Sequence, residues 1–174
     1  VVAWALVLAG THWNELTRDV TDQVLAADKL LLMALVYPLT KLVHEFGHAI
    51  AAKAKGGEVH EMGVMLLVLM PVPYVDASSS LAFRNKFDRA LVGAAGMISE
   101  GLLAAVAMFV WVNVEPGLVR AAAYNVLVIA GVSTVIFNAN PLLRFDGYYI
   151  LADLIEIPNL GQRANAYLGY LVKR

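Results

Sequence analysis

Apolar residues gather along this chain in long blocks parted by short polar intervals, and the length of each block limits what it can form. Crossing a bilayer as a helix takes about 20 predominantly apolar residues. The blocks at 29–55, 90–112 and 118–137 are long enough. Positions 1–9 are apolar but short, without the basic start or small-residue cleavage site of a signal peptide, and read as part of a further transmembrane helix in a longer protein. The polar, mixed-charge interval 11–27 is expected to be an extramembrane connector, with Asp28 placed to cap the helix after it. Gly56-Gly57 stops that helix, and Pro38 within it should kink it.

Between the first two complete helices the pattern changes in kind. The valine- and leucine-rich run 64–70, bracketed by Gly63 and by Pro71 and Pro73, cannot span as a helix. It reads as strands or a hairpin at the membrane surface or dipping into it, with the prolines limiting pairing to an edge. Residues 77–88 read as a surface connector. The block 90–112 carries small residues, among them Gly93, Gly96, Gly101 and Ala104, that let helices pack closely. Asn138, Asn140 and Pro141 break the third long helix, and a helix resumes over 147–157 until Pro158-Asn159 ends it. Residues from 160 onward are amphipathic and could begin another membrane segment. The expected fold is an all-α, polytopic transmembrane helix bundle with a short β segment, one membrane-embedded unit over 1–174.

Composition agrees with this picture. Of the 174 residues 60% are hydrophobic and 16% charged, and a mean hydropathy of +0.67 is too high for an ordinary soluble domain. Net charge is −1 with scattered basic residues, so nothing points to nucleic acid. Cysteine is absent, so a metal would be held by histidine and carboxylate.

Ionisable groups at membrane depth are costly and mark function. His44-Glu45-Phe46-Gly47-His48 lies within the first complete helix, where residues four apart share a face. His44 and His48 can thus offer two nitrogens to one Zn²⁺, with Glu45 beside the fourth coordination position, where a general base for a water belongs. A third ligand is needed. Ala51 and Ala54 stand where a third-histidine motif would place its glycine and histidine, and Glu58, His60 and Glu61 lie too close, beyond Gly56-Gly57. Asp146 remains, at the helix break. Glu100 is a second intramembrane carboxylate, either functional or hydrogen-bonded to a neighbouring helix.

The embedded His44-Glu45-Phe46-Gly47-His48, followed by Asn138-x-x-Pro141 and Phe145-Asp146-Gly147, resembles the site-2 protease family of intramembrane zinc metalloproteases. Pro71-Val72-Pro73-Tyr74-Val75-Asp76, Val92-Gly93-Ala94-Ala95-Gly96 and the run 137–160 are similar to its bacterial branch of peptide zinc metalloproteases, and the likeness covers roughly 11–163. The resemblance implies one Zn²⁺ per chain held by His44, His48 and Asp146, with Glu45 as catalytic base and Asn138 near the site as a substrate or transition-state contact. Asn140 and Glu100 are further candidates for such contacts. Phe145 departs from the leucine usual in the family's Leu-Asp-Gly motif, which bears on subfamily rather than chemistry.

The implied activity is endoproteolysis of membrane-embedded or membrane-associated polypeptides in a bacterial inner (cytoplasmic) membrane. One alternative is a non-catalytic membrane subunit that keeps the fold within a secretion or efflux assembly, with a membrane-fusion partner. Another is a metal or proton transporter using the same His, Asp and Glu100 side chains, against which the apolar outer half of the helix 29–43 argues. Lys53, Lys55, Arg84, Lys86 and Arg89 cluster between the first two complete helices, which by the positive-inside rule places 53–89 in the cytoplasm and the site nearer that face.

Overall fold

The computed structural model describes residues 1–18 and 27–172. It is mostly helical, with α1 (Val2–Thr11), α2 (Trp13–Thr17), α3 (Ala27–Ala54), a hairpin of β1 (Met62–Leu67) and β2 (Met70–Val75), a 3₁₀ turn (Ser78–Ala82), α4 (Lys86–Asn113), α5 (Leu118–Val132), a π-helical segment (Ser133–Asn138), α6 (Asp146–Ile155) and α7 (Leu160–Val172). Three helices are long and apolar enough to cross a membrane: Leu30–Ala54, Lys86–Asn113 and Leu118–Asn138, the last joining α5 to the π segment.

The surface of the helices is more apolar than that of a water-soluble protein, and several polar side chains lie inside. Leu31, Leu35, Leu39, Leu42, Phe46 and Ile50 form an exposed apolar stripe along α3, whereas Thr40, His44, Glu100, Asn125 and Asn138 are buried. Water would penalise that arrangement, and hydrocarbon around the helices removes the penalty. These three apolar helices fit a membrane protein.

α4 is the central element, packed against α1, α3, α5 and α6. The Asn85 side chain caps it, accepting from the Phe87 N–H at 3.0 Å. One end of the core is built from Ala5, Ala105, Ala107, Met108, Trp111, Ala123 and Tyr124, so alanines bring the helix axes together around a few large side chains. α3 crosses α4 closely at Gly47, where a Cβ would meet the Ala95 carbonyl oxygen at 2.5 Å and Ser99 Oγ at 2.6 Å. α3 continues uninterrupted through Pro38. It starts at Ala27, so Asp28 falls within the helix; the capping role expected of its side chain lies outside the described residues, as does the polar stretch 19–26.

Several boundaries differ from expectation for local reasons. The run 64–70 belongs to a hairpin, as one of the two expected readings had it, and contains its turn, Val68-Leu69, both at positive φ. α4 begins at Lys86 rather than near 90, because Asn85 supplies the cap, and α6 begins at Asp146 itself. Part of the 11–27 connector, Trp13–Thr17, is helical. After β2, the Ser78 N–H donates to Asp76 Oδ1 at 2.9 Å, and hydrogen bonding from Ser78 holds the Asp76 carboxyl below the usual carboxylate range.

Candidate metal centre

Three side chains from two distant stretches converge on one point. His44 and His48 project from the same face of α3 with their Nε2 atoms 3.1 Å apart. Asp146 enters from the first turn of α6, its Oδ2 3.0 Å from His44 Nε2 and 3.6 Å from His48 Nε2. The helix break makes this possible. After the π segment the Asn140 side chain accepts from the Leu142 N–H at 2.9 Å, tightening a turn that redirects the chain, and α6 then runs back along α4. Arg89 Nε donates to Asp153 Oδ1 at 2.9 Å and Lys86 Nζ to the Leu154 carbonyl at 3.2 Å, tying α6 to the start of α4.

Hydrogen-bond chemistry around the rings bears on whether the cluster could hold a metal ion. A backbone carbonyl can only accept, so His48 Nδ1, 2.7 Å from the Val92 oxygen, is the protonated nitrogen and a neutral ring presents its Nε2 lone pair to the centre. His44 Nδ1 is buried without a hydrogen-bond partner, 3.3 Å from a Glu100 oxygen; a proton on that nitrogen would leave the Nε2 lone pair pointing to the same place. In the tautomers with both Nδ1 atoms protonated, three lone-pair atoms meet at Asp146 Oδ2, which is buried without a hydrogen-bond partner. A cation resolves that repulsion. Among the described residues, His44, His48 and Asp146 form the one His and carboxylate group able to hold a metal ion.

Space is reserved for the rings. Gly96 of α4 lies beneath both imidazoles, and a Cβ there would meet His44 Nε2 at 2.5 Å, His44 Cε1 at 2.6 Å and also His48 Nε2. Glu45, next to His44, lines a cavity of about 510 Å³ together with Tyr37, Lys41, Val72, Asn138 and Asp146, and also a smaller one of about 150 Å³ against the hairpin.

The remaining candidates divide. Asn138 is buried at the cavity wall, its Nδ2 3.4 Å from Glu100 Oε2 and 3.4 Å from Ser133 Oγ. Glu100 is wholly buried and does not line the cavity. Asn140 is occupied by its own turn. Lys41 was not singled out from the sequence as a site residue, yet it lies one turn before His44 and donates to Glu100 Oε1 at 2.7 Å and to Ser133 Oγ. Its signal was available, because positions 41, 44 and 48 share one helix face.

Comparison of the chain with protein-family models, curated proteins and solved structures returned no match.

Proposed function

We propose that this protein is an intramembrane zinc endopeptidase, hydrolysing peptide bonds of membrane-embedded or membrane-associated polypeptides. The observation that carries the reading is the convergence of His44 Nε2, His48 Nε2 and Asp146 Oδ2 beside Glu45, at the wall of a cavity within apolar helices. Separations of 3.0, 3.1 and 3.6 Å between the donors bracket the edge of a tetrahedron about 3.3 Å long that zinc bonds of about 2.05 Å require. Two imidazoles and a carboxylate without sulfur suit catalytic zinc, which keeps one position open.

Bound there, zinc supplies Lewis-acid activation of a water and of the scissile carbonyl. Glu45 takes the proton of the attacking water and delivers it to the leaving amine nitrogen. Asn138, on the cavity wall, is placed to hydrogen-bond the substrate backbone. A transmembrane substrate cannot be cut as a helix, since its carbonyls are engaged in its own hydrogen bonds; it must reach the site extended, and the open edge of β1, the hairpin strand farther from α3, is the one it would add to. We place the protein as a multi-pass component of a bacterial inner membrane, with the site nearer the cytoplasmic face, on the lysines and arginines gathered over 53–89.

The test is cleavage of a panel of single-span membrane peptides by purified protein in detergent, with a chelator as control. Chelator-sensitive cleavage is the expected result. Zinc-replete protein that cuts none of them would favour the non-catalytic subunit of a secretion or efflux assembly, which has no use for Glu45.

A further inference from the structure

Glu100 is the most enclosed charged group among the described residues, at 0% exposure in the middle of α4. Its oxygens are shared between two other elements, α3 and the π segment. Oε1 accepts from Lys41 Nζ of α3 at 2.7 Å. Oε2 accepts from Thr134 Oγ1 of the π segment at 2.6 Å, lies 3.4 Å from Asn138 Nδ2, and faces His44 Nδ1 at 3.3 Å. The π turn assembles this network, because Ser133 and Asn138, five apart, stack on one side of it and their side chains lie 3.4 Å apart.

Stability alone does not account for such a pair. Replacing a buried ion pair by apolar side chains of similar volume is often neutral or stabilising. The informative approach is to His44, whose Nδ1 is buried with no hydrogen-bond partner and lies 3.3 Å from Glu100 Oε2, opposite the nitrogen that points to His48 and Asp146. We propose that Glu100 is a positioning residue for the metal centre: it accepts the Nδ1 proton of His44, which fixes the ring's rotation and tautomer so that Nε2 presents its lone pair to the ion, while Lys41 balances the buried charge. Val92 does the same for His48 through its carbonyl oxygen. The two ligand histidines are thus held from the same helix, α4, by unlike acceptors, and the carboxylate makes the more basic ligand of His44. The inference rests on the zinc reading above. It gives Glu100 a role without contact to substrate, in keeping with its absence from the cavity wall.

The test compares wild type with the double variant Lys41→Met/Glu100→Leu, which removes both charges and the acceptor while keeping the interior filled, and with Glu100→Gln, whose amide oxygen can still accept. Zinc dissociation constants from chelator competition and the visible spectrum of the Co²⁺-loaded protein are the readouts. The double variant should insert and keep its helical content, bind zinc about 10- to 100-fold more weakly and show an altered cobalt spectrum, with Glu100→Gln between it and wild type. Wild-type affinity and spectrum in the double variant would overturn the inference and leave the zinc reading standing. If the double variant does not fold, Glu100→Gln decides: several-fold weaker binding supports the positioning role, and unchanged binding overturns it. Wild-type protein that takes up neither zinc nor cobalt would overturn the metal reading, and this inference with it.

Discussion

Glu45→Gln keeps the size and hydrogen-bonding capacity of the side chain and removes its basicity. Zinc content and insertion should survive while cleavage of a membrane peptide falls by about 10² to 10⁴, the usual weight of a general base; cleavage at the wild-type rate would take the role from Glu45. A second substitution probes space rather than charge. Gly96→Ala drives a methyl group into both imidazoles, so metal analysis should show zinc lost. Gly101→Ala, five residues along α4, meets nothing within 4 Å and should bind normally. The pairing of His44 with His48 was legible in the sequence because residues four apart share a helix face, and their meeting with Asp146 was expected from the lack of other candidates. A hydrogen bond from Glu100 to a neighbouring helix was one of the two expected readings, but its partners were not legible. Its contacts come from Lys41, 59 residues away, and Thr134, 34 residues away, and only helix packing sets which groups meet. Asn140 is the opposite case, a polar residue near a motif whose side chain serves its own turn.

Among the elements, the hairpin is the one whose boundaries periodicity missed. Two-residue hairpin turns usually advertise themselves with Asn-Gly or Asp-Gly, since both central residues need positive φ. Here Val68 (φ 49°) and Leu69 (φ 67°) take those positions, exposed at 92% and 91%, so the run reads as unbroken. An apolar tip in a strained turn is out of place in water and suited to lipid. The register explains the prolines. With Leu67 opposite Met70 at the turn, Pro71 faces Leu66 and Pro73 faces Val64, the pairs that in antiparallel alternation exchange no hydrogen bonds. The prolines therefore cost the ladder nothing and block the outer edge of β2. By the same alternation, the amides of Val64 and Leu66 on β1 point away from β2. If an extended substrate adds to that edge, Leu66→Pro should raise KM severalfold with zinc still bound and the hairpin intact. Unchanged kinetics would exclude strand addition at this edge. Pro38 shows the converse limit: a helix-breaking residue in sequence sits inside an uninterrupted α3.

For the whole molecule, the apolar exterior was foreseeable from block length and composition, whereas the pairing of blocks was not. Length identifies a spanning helix. It does not reveal that α4 is the hub. On the orientation proposed from charge, with residues 53–89 in the cytoplasm, Ser79→Cys should resist an impermeant thiol reagent added to intact cells and react once the membrane is opened. Ready labelling from outside would invert the topology. The ligand set has a last consequence, in chain entropy. His48 and Asp146 are 98 residues apart (146 − 48) on different helices, in a sequence without cysteine. An ion bound by both closes that loop as a disulfide would, and in the chain-entropy account a cross-link over about 100 residues withdraws on the order of 4 to 5 kcal/mol of freedom from the unfolded chain. Chelation should therefore lower the Tm of wild-type protein in detergent and leave that of Asp146→Ala, its knot already untied, where it was.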